Sequence, residues 1–537
     1  MKSFFCILIM YVFVCMPKSI ASPAIAGEAA KQVPDSIVRI KESRSLFLKR
    51  PLPYSGVWQH LITLKDLRNW LQRHSEADFV SAEDASEQLP RVESDRVNMP
   101  LGLLNFGKEQ VPPIMVPEAV LINPWGIKTW LQRKGINILV DNTNEFGAAL
   151  TSPTPRLGLK KGSSNTGQVG YLTNIDWEHL AGIGGFLTHT AMVSRYGIPA
   201  SPMFGDQLSH SQEIYGGGGN VVLHLVYFYG EETLGHGRFD VAGGRIPLLL
   251  DFMANFAVTC TFMNNAFCGN PNAIADNTTH SSWADASWGG RMRWRPTDHI
   301  YFQTGAYLSQ EGIYGNVQFR TGFKFNGADI NGVAVPLEFG WEPILNHGNL
   351  PGHYKVGYIL DTADHHDNYY DGDGGAFARS GKTPRINHGS WSAYMQVDQM
   401  IWHHPHHRED AGVIIFGNFV ANSERTQTRA QQYEAGIIDR GFWVSRPQDT
   451  LGFAFAYDRV SGPISRSQQI QIQNGLPLLG GAYGIQKYAI VLELVYQYRL
   501  MRGVFLSPDV QYFFRPNAEK HLKNAVMVGF KSHVEIF

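Results

Sequence analysis

The sequence predicts an all-β protein: a sixteen-stranded antiparallel transmembrane β-barrel with a partly helical N-terminal periplasmic extension. Three observations predict it. Segments of about 10 residues alternate apolar and polar positions repeatedly, as strands with one face to lipid and one to water do. The connections between these segments alternate short and long. The composition, with 55 Gly, 31 Phe, 22 Tyr and 12 Trp in 537 residues, suits many strands flanked by aromatic belts.

Met1-Lys2, the apolar run from Phe4 to Met16 and the small residues around Ser19-Ile20-Ala21 read as a secretory signal peptide over 1–21. The run is shorter than the ~20 residues a spanning helix needs. No later apolar stretch approaches ~18 residues, so a helical membrane protein is excluded. Cys6 and Cys15 go with the signal and leave Cys260 and Cys268 as the mature pair. In an oxidising compartment a pair so spaced reads as a disulfide, whereas two thiolates with no further Cys or His nearby make a poor zinc shell. With 46 basic and 47 acidic residues the charge is balanced, which gives no reason to expect a nucleic-acid partner.

Residues 22–120 form the expected extension. They are polar, with one helical pattern in "VWQHLITLKDLRNWLQRH", where Trp58, Leu61, Leu67, Trp70 and Leu71 make an apolar stripe. An exposed stripe of that kind usually binds something, here a periplasmic partner.

The barrel is expected over 121–537, with strands near 136–149, 165–175, 176–190, 219–229, 237–250, 286–294, 298–308, 333–342, 352–360, 390–402, 411–420, 433–445, 450–460, 488–499, 504–514 and 524–537. In Tyr488 to Arg499 one face reads Tyr488, Ile490, Leu492, Leu494, Tyr496, Tyr498; the other carries Glu493, Gln497 and Arg499. Leu451 to Asp458 and Val335 to Glu342 alternate in the same way. Short connections such as "RPTD", "RPQD" and "LMRG" alternate with long ones at 252–285, 361–389 and 461–487. Short periplasmic turns, long external loops and an even strand number bring both ends of the barrel to the periplasm.

Several stretches together resemble the carbohydrate-selective porins of the OprB type: "WGIKTWLQRKGI", "FDVAGGRIPLLLDF" running into "CTFMNNAFCGNP", and "MQVDQMIW…AGVIIFGNF…YEAGIIDRGFWVSRPQDTLGFAFAYDRVS". The resemblance covers about 120 to 537, in order. It implies a Gram-negative outer-membrane barrel passing monosaccharides and small oligosaccharides by passive diffusion, with no cofactor and no enzymatic activity. Implied partners are small carbohydrates, outer-membrane lipid and lipopolysaccharide, the barrel-assembly machinery and, in a homotrimer, two further copies. The extension is longer than the family pattern requires, which motivates a second reading: a dedicated export or assembly barrel whose extension docks a periplasmic partner.

A sugar pore needs hydrogen-bonding groups at its constriction that bind weakly enough to release. In "ASWGGRMRWRP" Trp288, Met292 and Trp294 are expected to face lipid, which turns Arg291 and Arg293 into the lumen. Glu338, Glu342 and Asp398 face inward by the same rule. Arg245 follows Gly243-Gly244, a pair expected to bulge the strand and change its phase. The loop after the fifth strand narrows the pore in general sixteen-stranded porins; by that likeness a Cys260–Cys268 bridge would hold Asn264, Asn265 and Phe267 near the constriction.

"HHPHHRED", with His403, His404, His406 and His407, reads as a periplasmic turn and not a metal site. The carboxylates of "DTADHHDNYYDGDGG" miss the calcium-loop spacing, and "ARSGKT" lacks the upstream glycine of a phosphate-binding loop. The common hydrolase signatures are absent. The final "AVMVGFKSHVEIF" is the closing strand, and its aromatic end resembles the assembly signal of outer-membrane barrels. Its apolar row, Val526, Val528, Phe530, Val534 and Ile536, leaves Phe537 in the opposite row, so either a bulge or a rim position is expected there.

Overall fold

A computed structural model describes residues 119–537 apart from 152–153, 155–156, 160, 215–219, 236, 255–260, 268–269, 276–282, 311–320, 324, 326, 328–329, 349 and 405–410. The expected signal peptide, the extension with its stripe, both mature cysteines, His406 and His407 lie outside the described residues.

Sixteen strands close into one antiparallel barrel in which every strand pairs with its sequence neighbours and β1 pairs with β16. They are β1 Ile136–Ala149, β2 Gly162–Asp176, β3 Phe186–Gly197, β4 Val221–Leu234, β5 Phe239–Ile246, β6 Ser287–Thr297, β7 Ile300–Gln310, β8 Ile330–Trp341, β9 Leu350–Asp371, β10 Pro384–His403, β11 Gly412–Asn422, β12 Arg429–Arg440, β13 Thr450–Val460, β14 Tyr488–Met501, β15 Val504–Phe514 and β16 Ala525–Glu535. Closure leaves no sheet edge, which a barrel in hydrocarbon requires because lipid cannot hydrogen-bond an unpaired strand.

The alternation that marked the strands corresponds to the two faces of the wall. Along β14 the inward Ala489, Val491, Glu493 and Val495 are buried, while Leu494 on the other row is half exposed. Trp288, Met292 and Trp294 are exposed on the outer face of β6, and Arg291 and Arg293 are buried on the inner one.

Several strand boundaries differ from expectation, among them the end of the twelfth, which stops at Arg440 instead of 445. The third strand starts at Phe186 instead of 176, because the Asp176 carboxylate accepts from the Glu178 and His179 amides, at 2.9 and 3.4 Å, and caps a short helix Trp177–Ala181. The fourth runs to Leu234, beyond 229. The fifth stops at Ile246, short of 250: Pro247 has no N–H for the ladder, and Leu248–Asp251 turns into the lumen as a helical turn. Most of the expected loop 361–389 is strand, since β9 and β10 continue to Asp371 and from Pro384. Here the outward row, Thr362, Asp364 and His366, is polar and exposed and the buried inward row carries Asp361 and Asp367, so the apolar alternation vanishes although the ladder continues, interrupted by register shifts around Ile386 and Gly389.

Two connections fold inward over their described residues: 198–214 after β3, and 247–254, 261–267 and 270–275 after β5. Leu248, Leu249, Phe252, Met253, Ala273 and Ile274 of the second pack on the inner wall at Tyr227, Tyr229, Tyr307 and Tyr394. Further along, Phe262, Met263, Ala266 and Phe267 pack against Phe416, Val491, Val495 and Met527 on the other side of the barrel. The apolar core of this protein therefore lies between the wall and its inward loops.

Two inward glycines make room for that core. Tyr301 pairs with Gly340 and Tyr394 with Gly357 across neighbouring strands, and each phenol ring occupies the space a Cβ would take. The closing strand has continuous register with both neighbours, so no bulge restores the phase of Phe537. That residue sits at the periplasmic rim, its backbone exchanging 3.2 Å hydrogen bonds with Val140 and its ring 5.3 Å from Lys128 Nζ.

Gly357→Val should drive the Tyr394 ring off its seat, an overpacking that costs about 1–3 kcal/mol. The expected result is a lower temperature for loss of the compact, fast-migrating barrel band on gels, with Tyr358→Val on the lipid face as the neutral control.

Candidate pore constriction

The strand β6 carries Arg291, Arg293 and Arg295 at alternate positions, which places three guanidinium groups in one column on the inner wall. Arg291 is fully enclosed and paired with three carboxylates: Glu231 at 3.1 Å, Asp251 at 2.8 Å, and Asp240. Two of these come from neighbouring strands and Asp251 from the inward loop, so Arg291 ties loop to wall. Arg293 donates from Nε to Gln303 at 2.9 Å and lies 5.7 Å from the Tyr301 ring, and its Nη1 has no hydrogen-bond partner among the described residues. Arg295 meets Glu342 at 2.9 Å and also stacks on Tyr301, at 5.1 Å, with Nε and Nη2 unpartnered.

Glu338 on β8 is the hub beside this column. One carboxylate oxygen accepts from Tyr301 Oη and Gln303 Nε2, both at 2.7 Å; the other accepts from Tyr394 Oη at 2.6 Å and the Met253 amide at 2.8 Å. Four donors saturate the lone pairs of a carboxylate. Lys355 Nζ donates to the Ala254 carbonyl and Gln396 Nε2 to that of Met253, at 3.2 Å for the latter, so β9 and β10 hold the same part of the loop. Asp398 is further toward the periplasm and accepts from His353 Nδ1 at 2.8 Å.

Residues 261–267 of the same loop lie on the opposite side of the barrel. Glu493 on β14 accepts from the Met263 and Asn264 amides at 2.5 and 3.0 Å, and Asn264 Nδ2 donates to Gln511 on β15 at 2.9 Å. Asn265 faces the other inward loop: its amide donates to the His210 carbonyl at 3.0 Å, and its Oδ1 accepts from the His210 amide at 3.2 Å. The Phe267 ring is buried 5.5 Å from that of Phe262. Asn264, Asn265 and Phe267 therefore sit where the loop meets the far wall, though engaged with protein groups.

Three wall residues bind both inward loops at once. Arg429 donates to Leu208 and Asn272 carbonyls, the latter at 3.1 Å. Gln511 joins Asn264 to the Ser211 carbonyl, at 2.9 Å each. Lys531 meets Glu213 at 2.6 Å and the Phe262 carbonyl at 3.2 Å. Residues 198–214 thus pack in the lumen beside the loop after β5. Among them Asp206 accepts from the Leu208 and Ser209 amides at 2.8 and 2.9 Å; burial still pushes its carboxyl up to about 6.

The sequence brings Arg291, Arg293, Glu338, Glu342 and Asp398 to the inner wall of neighbouring strands. Arg245 does not join them. The register runs unbroken through Gly243-Gly244, so no bulge shifts its phase, and Arg245 falls in the outward row with Phe228 and Trp288. It is covered there by Gly322 and Phe325, donating to the Gly322 carbonyl at 2.7 Å and the Ala286 carbonyl at 2.9 Å, with its Cζ 5.9 Å from the Phe325 ring centroid. Tyr301, Tyr394, Arg429, Glu493, Gln511, Lys531 and the inward residues 198–214 escaped the sequence reading. Strand parity marked the inward row that holds Glu493, but nothing local says which inward residue meets a loop more than two hundred positions away.

The model of the carbohydrate-selective porin, OprB family, matches residues 160–536. The chain is 26% identical over 430 residues to Porin B of Pseudomonas aeruginosa, covering 76% of this chain and 90% of that one. It is 24% identical to a putative porin, QuiX, of Acinetobacter baylyi, over 60% of this chain and 71% of that one. The fold is similar to the high-pH structure of Pseudomonas putida OprB, with a TM-score of 0.72, 23% identity and coverage of 78% of this chain and 99% of that one. These relatives are channels of the Gram-negative outer membrane, where a barrel of this kind resides. With a family match over most of its length and a closed sixteen-stranded barrel around an inward-looped lumen, the chain belongs to the OprB family of carbohydrate-selective porins.

Proposed function

We propose that the protein is a passive diffusion pore for monosaccharides and small oligosaccharides, with solute contacts made by the basic column of β6. The observation that carries this reading is the pair of guanidinium groups, Arg293 and Arg295: Nη1 of the first and Nε and Nη2 of the second have no hydrogen-bond partner among the described residues, while both groups lie over the Tyr301 ring. Sugar hydroxyls accept from such donors, and a few charge-assisted bonds in place of hydration permit weak, reversible binding. Arg291 and Glu338 are saturated by protein groups and serve to position the loop.

Liposome swelling with glucose, a disaccharide and an amino acid of similar size tests the function itself. Faster entry of sugars than of the size-matched amino acid is expected, and equal rates would make this a general porin.

Arg293→Ala should weaken glucose-dependent block of single-channel current by several-fold, in keeping with about 1 kcal/mol for one hydrogen bond. Arg291→Ala should instead reduce assembled barrel, since it leaves three buried carboxylates without their cation. Unchanged block in Arg293→Ala would remove the column from the solute path.

Glu493→Ala frees the Met263 and Asn264 amides on the far side of the lumen. Open-channel conductance and current noise should both rise in planar bilayers, while the sugar block of the remaining column persists.

A further inference from the structure

At the extracellular edge of the outer face, the aromatic rings form an unbroken chain across five strands. Phe419, Tyr433, Tyr457, Tyr488 and Phe514 follow one another with ring centroids 4.9, 6.1, 5.5 and 6.3 Å apart. Aromatic residues at this height lie at the boundary between acyl chains and head groups. Arg515 directly follows Phe514 at the end of β15, and its Cζ lies 4.1 Å from the Tyr488 ring centroid and 5.4 Å from that of Phe514. Arg459, the register partner of Tyr488, is ion-paired with Glu424, both about one-third exposed. Exposed Arg425, Lys520 and Lys523 occupy the adjoining turns. The nearest acid of that stretch, Glu519, is buried and engaged with the Tyr483 amide at 2.9 Å, Asn517 Nδ2 at 2.7 Å and, at 3.3 Å, His521.

The opposite rim supplies the comparison. There Arg446 stacks on Tyr498 at 3.8 Å, the same pairing at the periplasmic end of β14, but Asp449 neutralises it through Nε and Nη2, with Nη2–Oδ1 at 2.9 Å. Arg515 has no carboxylate partner among the described residues. A stacked arginine held at the bilayer surface with an excess of basic neighbours calls for an anion from outside the chain.

We propose that this rim binds a phosphate of the anionic glycolipid of the outer leaflet, with Arg515 as its principal contact and the Tyr457–Tyr488–Phe514 rings against the upper acyl chains. A guanidinium presents its donors in a fork that matches phosphate oxygens, and a basic cluster beside a membrane-spanning element recognises lipid head groups. The aromatic chain below the arginine selects a lipid phosphate over a free one, because the stacked guanidinium is presented at head-group height.

Native mass spectrometry of the full chain tests this with bis-phosphorylated lipid A and its dephosphorylated form carrying the same acyl chains. Retention of the phosphorylated form should be about tenfold the greater, the effect of one charge-assisted contact. Arg515→Ala should abolish that preference, Arg515→Lys should keep much of it, and Arg446→Ala on the periplasmic rim should leave it intact. Equal retention of both lipids by the native chain, or an undiminished preference in Arg515→Ala, overturns the proposal; so does complete displacement by inorganic phosphate, which would make it a free-anion site. Band migration on gels confirms that each variant forms a barrel, and should Arg515→Ala not assemble, the lipid comparison on the native chain decides.

Discussion

The hydrogen bonds from loop backbone amides to wall carboxylates are the constraint on which the rest of the lumen depends. Glu338 takes the Met253 amide on one side of the barrel, and Glu493 takes the Met263 and Asn264 amides on the other. A strand alone cannot narrow a sixteen-stranded barrel, whose diameter follows from strand number and tilt. Only an inserted segment can, and an inserted segment brings amides that have left water and must find acceptors. Inward carboxylates supply them. The apolar side chains of the same loop, Leu248, Phe252 and Phe262 among them, then fill the space against the wall.

This arrangement explains why the inner wall carries both glycines and tyrosines at paired positions. Tyr301 and Tyr394 lie flat over Gly340 and Gly357, and their hydroxyls converge on Glu338 from two sides. Any side chain on either glycine would lift the ring above it and withdraw one donor from the carboxylate. The positioning of the loop thus rests on residues in β7, β8, β9 and β10 that have no direct reason to contact a solute.

The strand count, the closed topology and the direction of nearly every wall residue were legible, because lipid on one side and water on the other impose a period of two that a sequence displays directly. Legibility failed where that contrast fails. The extended part of the hairpin of β9 and β10 is polar on both faces, exposed on the outer one and buried on the inner, so Asp361, Asp364 and Asp367 read as loop although they lie in strand. Arg245 illustrates a different limit. Its odd parity was visible, but Gly322 and Phe325, which cover it on the outer face, lie more than seventy positions away in the chain. Within the constriction, charge and parity together singled out Arg291, Arg293 and Glu338. Their division into saturated and unsaturated groups depends on partners such as Asp251 and Met253, contributed by the inward loop.

That division bears on how a pore can be selective and still fast. A carboxylate with four donors has no capacity left for a solute, so Glu338 adds rigidity without adding affinity. Donors without a partner among the described residues, as on Arg293 and Arg295, would have capacity in a fixed direction on the proposed reading, because their planes lie over Tyr301. If every charge in the column were free, solutes would bind more strongly and leave more slowly; if every charge were satisfied, nothing would offset the loss of sugar hydration. On the proposed reading, a column with one saturated arginine and two partly free ones would lie between these limits, with entry compensated and release still rapid.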